Sequence, residues 1–302
     1  MVPWTSRPGP TRWPPPGLPN ASHDCLDPRS RSWIIVRPPS TRRRSRFLVA
    51  GLACGISAIT LLVWPGAPPV AGAAPVDRLP DLAMAYPTEL RIQTTANGTR
   101  RLRFTTMIVN IGDGPFETRS SRLAGDSTMG VNQRIYNNAG GYRVFDTTTS
   151  AKYSGDGHDH WHVQDVARYE LFAINGKGPA LRRDAKVGYC FFDTKAYRLS
   201  LPRAPDSPVY RASGCGTRSS LFVKNGISVG WGDKYGWRLS RQWIYLSSLP
   251  PGDYFLKVTV DPLFQYQEIR HRNNCNWSHI RISRTSSVVP VLDRGFSCTL
   301  PG

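Results

Sequence analysis

The chain of 302 residues carries 39 Lys+Arg against 21 Asp+Glu, a formal net charge of +18, and 40% of its residues are hydrophobic. That apolar share excludes a chain disordered throughout, and the length suits one large domain or two small ones. A basic surplus of this size ordinarily points to nucleic acid, so its distribution comes first.

Residues 1–46 hold nine arginines and two acids, a contribution of +7. The first forty residues contain ten prolines and no periodicity, so no fold is expected there. The stretch reads as a disordered Pro/Arg-rich extension, or as the product of a start codon assigned too far upstream. Thr41-Arg42-Arg43-Arg44-Ser45-Arg46 then meets Phe47–Trp64, eighteen residues without a charge, followed by Val70-Ala71-Gly72-Ala73-Ala74. Basic, apolar and small-residue parts in that order make 47–73 a signal peptide cut after Ala73, or an uncleaved anchor across 47–64. Both readings export everything downstream, either secreted or held at the cell envelope.

The remaining +11 is scattered, and the chain uses 32 Arg but only 7 Lys. No basic run with interleaved aromatics follows residue 46, which argues against nucleic acid and for attraction to anionic envelope polymers.

From about 79 to 300 the pattern is β. Arg101–Asn110 alternates Leu102, Phe104, Thr106 and Ile108 with Arg103, Thr105, Met107 and Val109, then turns at Ile111-Gly112-Asp113-Gly114-Pro115. Val166–Ile174, Lys186–Phe192, Gln242–Leu246 and His279–Ser283 are further strand-prone runs. Pro250-Pro251-Gly252-Asp253 is a turn that feeds Tyr254–Val260, with Leu256, Val258 and Val260 on one face. Long loops are expected over 112–142 and 193–226. Short strands between Gly, Pro, Asn and Asp turns, without a sustained helical period, predict an all-β, antiparallel, sandwich-like domain with few helices.

Cys25 and Cys54 precede this domain, and Cys190, Cys215, Cys275 and Cys298 lie within it. None forms a CxxC metal pair, and four cysteines in an exported domain predict two disulfides. Three pairings are open, of which the local one is simplest.

Three of the six histidines stand in Asp156-Gly157-His158-Asp159-His160-Trp161-His162. Alternate residues of a strand share a face, so the three imidazoles point to one side. Imidazole suits copper, zinc, iron and nickel, and spacing does not choose among them. A straight strand would hold the first and last Cα roughly 13 Å apart, so one ion requires a curl, which Gly155 and Gly157 permit. His271 and His279 read as structural.

These residues, taken with their neighbours, resemble the lysyl oxidase family. His158-Asp-His160-Trp-His162, then Asp165 and Arg168-Tyr169-Glu170-Leu171, resembles its copper segment. Lys186-Val-Gly-Tyr-Cys190-Phe-Phe-Asp193-Thr is similar to the segment of the cofactor lysine. Gly226-Ile-Ser-Val-Gly-Trp-Gly-Asp233-Lys-Tyr235 through Gln242-Trp243-Ile244 is similar to that of the cofactor tyrosine. Leu79-Pro80-Asp81-Leu82, Leu249 to Pro262 and Asn273-Asn274 continue the likeness, which covers most of 79–298.

The resemblance implies a copper-dependent amine oxidase whose cofactor, lysine tyrosylquinone, is built from Lys186 and Tyr235. It also implies His158, His160 and His162 as copper ligands. Copper and O₂ oxidise such a tyrosine ring to an ortho-quinone, an electrophile for the lysine amine, which must be neutral and therefore desolvated. The quinone then takes a primary amine, peptidyl lysine or a small amine, to the aldehyde with release of H₂O₂ and ammonia. Asp193 and Asp233 are candidates for the base or for positioning.

The resemblance further implies the disulfides Cys190–Cys215 and Cys275–Cys298. Trp231 and Arg241 stand where animal members have further cysteines. It also implies a calcium site from Asp81, Glu268, Asn273 and Asn274, although Arg270 stands where another acid is expected. The alternative is a non-catalytic secreted metal-binding β-sandwich or cell-envelope interaction module that keeps these motifs without turnover. Which amine is the natural substrate is not written in the sequence.

Overall fold

Alternating apolar residues become buried strands where a second sheet covers them, and the strand Gly252–Val260 is the plainest case. It pairs antiparallel with Ala167–Ala173 on one edge and Cys275–Ile282 on the other. Leu256, Val258 and Val260 are all fully buried on its inner face, as expected from their period of two. Arg182–Arg183 and Val291–Gly295 complete this five-stranded sheet. The computed structural model describes residues 73–154, 159–184, 186 and 188–302. The extension at 1–46, the export segment up to residue 72 and the first histidine, His158, lie outside the described residues.

Two further antiparallel sheets close the core. One runs through Gly188–Tyr189, His160–Gln164, Tyr142–Ser154, Thr128–Asn137, Phe116–Ser121 and Phe222–Ile227, with Asp77–Arg78 beside Thr128–Asn137. The other is built on Arg100–Asn110, which pairs with Leu82–Met84 and Thr88–Thr94 on one side and with Trp231–Tyr235 and Trp243–Tyr245 on the other. Leu102, Phe104, Val163, Tyr169, Leu256 and Ile280, from all three sheets, share one apolar cluster. The domain is all-β, and its one described helical turn is the 3₁₀ piece Ala212–Cys215.

Two expectations need correction. Arg100–Asn110 is not a one-sided strand, because Arg103 and Thr105 are buried as well as Leu102 and Phe104. Arg103 is retained inside by donating to Gln93 Oε1 at 2.6 Å and to the Trp237 carbonyl at 2.6 Å. The expected loop 112–142 instead contains the strands Phe116–Ser121 and Thr128–Asn137. Their polar residues are buried in a network. Glu117 accepts from Arg119 at 2.6 Å, Tyr210 at 2.8 Å and Tyr136 at 3.1 Å. Hydrophobic periodicity is blind to strands held in this way.

The loop expected over 193–226 is largely irregular, and both disulfides form in the local pairing. Cys190 and Cys215 bring their Cα atoms to 5.7 Å, and Cys275 and Cys298 theirs to 4.8 Å.

Asn110 ties the N-terminal strand region to the rest. Its Oδ1 accepts from the Asp81 and Gly112 amides at 3.1 and 3.0 Å, and its Nδ2 donates to the Gly114 and Ile227 carbonyls at 2.9 and 3.0 Å. Asn110→Ala would strand four buried backbone groups, so unfolding in urea should show a loss of roughly 3 kcal/mol or more. A loss under about 1 kcal/mol would mean that water replaces the side chain there.

Candidate active site

The strand His160–Gln164 lies between Tyr142–Ser154 and Gly188–Tyr189. His160 and His162 share one face, and Trp161 turns to the other, where its indole donates to the Thr217 carbonyl at 2.8 Å. The two Nε2 atoms stand 2.9 Å apart. Two imidazole nitrogens on one ion, each about 2.0–2.1 Å from it, have a separation of this order. This pair of donors therefore fits a copper or zinc ion. His160 also abuts the Cys190–Cys215 disulfide, its ring nitrogen and the two sulfurs lying within 4.8 Å of one another. Sulfurs bonded to each other are not thiolate ligands, so the bridge acts there as a wall.

Lys186 and Tyr235, 49 residues apart in sequence, meet behind that wall. Tyr235 ends the strand Trp231–Tyr235, opposite Thr106 of the central strand. Its hydroxyl donates to the Cys190 carbonyl at 2.9 Å, and its ring packs edge-on against Tyr189 at 5.1 Å. Lys186 is 5% exposed. Its Nζ lies 5.1 Å from the centroid of the Tyr235 ring and 4.8 Å from that of Tyr189. Burial, and then the neighbouring Asp233 carboxylate, hold the Tyr235 hydroxyl well above the usual phenol range.

The two aspartates differ sharply. Asp193 accepts four hydrogen bonds: from the Val209 and Tyr210 amides at 2.9 and 3.1 Å, and from the Ser228 amide and hydroxyl at 2.8 and 2.7 Å. It staples the long loop and has little capacity left for a substrate proton. Asp233 is buried beside Tyr235 and Lys186, and its Oδ2 meets no donor. Burial pushes its carboxyl up to about 7, against the opposing pull of Tyr235, Thr194, the Phe192 amide and the Lys186 charge. A buried carboxyl poised near neutrality is suited to proton transfer.

Two groups went unremarked in the sequence. Tyr189 forms the second face of the lysine pocket, and Asp184, with its carboxyl also raised to about 7 by burial, stands two residues before the lysine. Tyr189 lies inside the Lys186-Val-Gly-Tyr segment, but no spacing rule marks a tyrosine three positions on as a pocket wall.

The implied calcium set is divided in two. Arg270 reaches Asp81 Oδ2 with Nε at 3.1 Å and Nη2 at 2.5 Å, and Asn273 Nδ2 donates to Asp81 Oδ1 at 2.7 Å. A guanidinium thus already neutralises the first acid. Glu268 faces away from it, accepting from Asn274 Nδ2 at 2.7 Å and from the Leu82 amide at 2.8 Å. Burial, helped by the Asp261 and Asp81 charges, pushes its carboxyl up to about 8. The Asp81 charge acts on Glu268, and the Oδ1 atoms of Asn273 and Asn274 meet no donor, while Arg270 occupies the Asp81 oxygen where a further acid is expected.

The family whose sequence model is described as Lysyl oxidase matches residues 126–291. Lysyl oxidase homolog 2 of Gallus gallus is 30% identical over 120 residues, covering 39% of this chain and 14% of that protein. The Homo sapiens protein of the same name is 28% identical over 120 residues with the same coverage. Lysyl oxidase homolog 3B of Danio rerio is 30% identical over 123 residues, covering 39% of this chain and 13% of its own. The match therefore spans about one seventh of these relatives.

Gly188 sets the distance between the lysine segment and the histidine strand. A Cβ there would stand 2.7 Å from Gln164 Nε2, which can swing aside, and 2.8 Å from His162 Cβ, which the strand holds. Gly188→Ala should lower affinity for a metal at the histidines roughly 10–100-fold, read as metal retained through dialysis. Gly130→Ala, where nothing lies within 4 Å, is the control and should retain it. Equal retention by both variants would show that the close approach does not position His162.

Proposed function

Since the chain belongs to the lysyl oxidase family, we propose that its exported domain is a copper- and quinone-dependent oxidase of primary amines. Its products are an aldehyde, H₂O₂ and ammonia. The observation that carries this reading is the buried Lys186 amine 5.1 Å from the centre of the Tyr235 ring, beside two convergent imidazoles. Copper held by His158, His160 and His162 would supply the one-electron chemistry with O₂, and a Lys186–Tyr235 quinone would supply the carbonyl that accepts the substrate amine.

The remaining work falls to ordinary side chains. Burial keeps the Lys186 amine away from bulk water and beside the Tyr235 ring. The Cys190 carbonyl and the Tyr189 ring fix the orientation of the Tyr235 ring before any covalent link is made. Asp233 is the group that removes the proton from the carbon next to the substrate nitrogen. The substrate is a primary amine, either a peptidyl lysine or a small amine, and O₂ is the oxidant. Export past the 47–73 segment agrees with two disulfides, which persist in oxidising compartments. The scattered positive surplus would hold the protein near anionic envelope polymers.

Mass spectrometry of protein loaded with copper and oxygen should find a Lys186–Tyr235 crosslinked peptide, together with a visible band lost on hydrazine treatment. Intact separate peptides would sink the quinone reading and leave a metal-binding module without turnover. Lys186→Arg should abolish the crosslink and leave the metal content unchanged.

The base has its own signature. The Asp233 carboxylate forms as pH rises through about 7, so kcat/KM should climb across that range. Asp233→Asn should cost about 10²-fold or more in kcat and remove that limb. A variant that keeps both rate and limb would assign the base elsewhere.

A further inference from the structure

On the far side of Glu268 from Asp81 lies a second cluster of metal-binding side chains that the amine chemistry does not use. Asp261 follows the strand Gly252–Val260, and its carboxylate is held by the Gln265 and Tyr266 amides at 2.8 and 3.2 Å. His271 Nδ1 faces Glu268 Oε1 at 2.9 Å and Asp261 Oδ2 at 3.9 Å, yet makes a hydrogen bond to neither. One donor atom from each of Asp261, Glu268 and His271 lies within 4.8 Å of the others. Both carboxylates are wholly buried, while the imidazole is partly open to solvent and braced edge-on by Phe264 at 5.2 Å.

A fourth group points to a ligand independently. Asn274 is 1% exposed, and its Oδ1 meets no donor. Its Nδ2 is already on Glu268, so the orphaned oxygen sits beside the cluster. Asp261, His271 and Asn274 line the same cavity of about 190 Å³.

We propose that Asp261, Glu268 and His271, with the Asn274 oxygen, bind a divalent first-row transition ion of the Zn²⁺ type. Ligands about 2.0–2.1 Å from a tetrahedral ion stand roughly 3.3 Å apart, and the observed 2.9 and 3.9 Å separations bracket that value. Two buried carboxylates side by side favour a cation, and the bound ion would share that role with Arg168 and Lys257, which line the same cavity. Arg270 serves Asp81 and does not serve this pair. An imidazole donor among few oxygens selects against Ca²⁺, which takes six to eight oxygen ligands, and in favour of a borderline ion. The cysteine bridge Cys275–Cys298 at the cavity wall keeps the site near the surface, with His271 as its gate.

The test is calorimetric titration of Zn²⁺ into copper-loaded full-length protein, with Ca²⁺ titrated separately. Wild type should take up one Zn²⁺ equivalent beyond the copper site, and Ca²⁺ should not displace it at equal concentration. His271→Phe and Asp261→Asn should each weaken that equivalent at least tenfold while copper content stays the same. The Asn keeps an acceptor for only one of the Gln265 and Tyr266 amides, so His271→Phe, which leaves both of those bonds intact, is the variant that guards against a folding artefact. Cobalt substitution offers a second reading in the wild type, an absorption band for one nitrogen and several oxygen donors. Absence of the further equivalent, unchanged affinity in both variants, or displacement by Ca²⁺ would each overturn the proposal. Because the readout is a difference between variants, it stands whether or not the quinone forms.

Discussion

The placement of one amine inside a wall of aromatic rings governs much of this molecule. A lysine that is 5% exposed has lost most of its hydration, and its surroundings must compensate. The Tyr189 and Tyr235 rings give it polarisable faces at 4.8 and 5.1 Å. Asp233 stands in the same pocket, and its own burial raises its carboxyl to about 7. Two sheets build the pocket: one carries the histidines and, at its edge, the strand that follows the lysine, and the other carries Tyr235. The edge pairing Gly188↔Gln164 and Tyr189↔Val163 joins that edge strand to the histidine strand.

Rigidity around the pocket is supplied by unlike means. Cys190 contributes twice, with a sulfur beside His160 and a carbonyl that takes the Tyr235 hydroxyl. Elsewhere covalent staples give way to packing. Trp231, at a position where the resemblance expects a cysteine, is buried and donates from its indole to the Pro205 carbonyl at 2.8 Å. That bond pins the same long loop that Asp193 holds through Val209, Tyr210 and Ser228. A hydrogen-bonded indole contributes less than a disulfide does to constraining the unfolded chain, but it orders the native loop just as directly.

Legibility in the sequence followed the type of force involved. Gly252–Val260 was readable because its burial is apolar and periodic. The shared face of His160 and His162 was readable because a strand alternates. Phe116–Ser121 was not, because its buried side chains include Glu117, Thr118 and Ser120, and Glu117 is held by partners up to 93 residues away. Nor could sequence separate Asp193 from Asp233. Both are buried acids, and only their donors, four in one case and an orphaned oxygen in the other, tell a staple from a candidate base. Asp261 and His271 escaped for a related reason: their meeting depends on the turn after Val260, which no period encodes.

The basic surplus also acquires a physical meaning. Arginines lie over aromatic rings along the surface: Arg91 over Trp237 at 3.8 Å, Arg101 over Trp243 at 4.3 Å and Arg134 over Tyr142 at 3.9 Å. Arg122 covers Trp161 at 4.9 Å on the outer face of the histidine strand. A guanidinium stacks on such a ring while keeping its edge hydrated, which an ammonium does less well. These four arginines therefore give part of the domain's basic surplus a packing role over aromatic rings. The choice has a chemical corollary under the proposed activity. A guanidinium is not a primary amine and cannot be a substrate, whereas a lysine in the same place could be. On that proposal Lys186, buried with its amine 5.1 Å from the centre of the Tyr235 ring, would be spent on the cofactor and would not be a substrate.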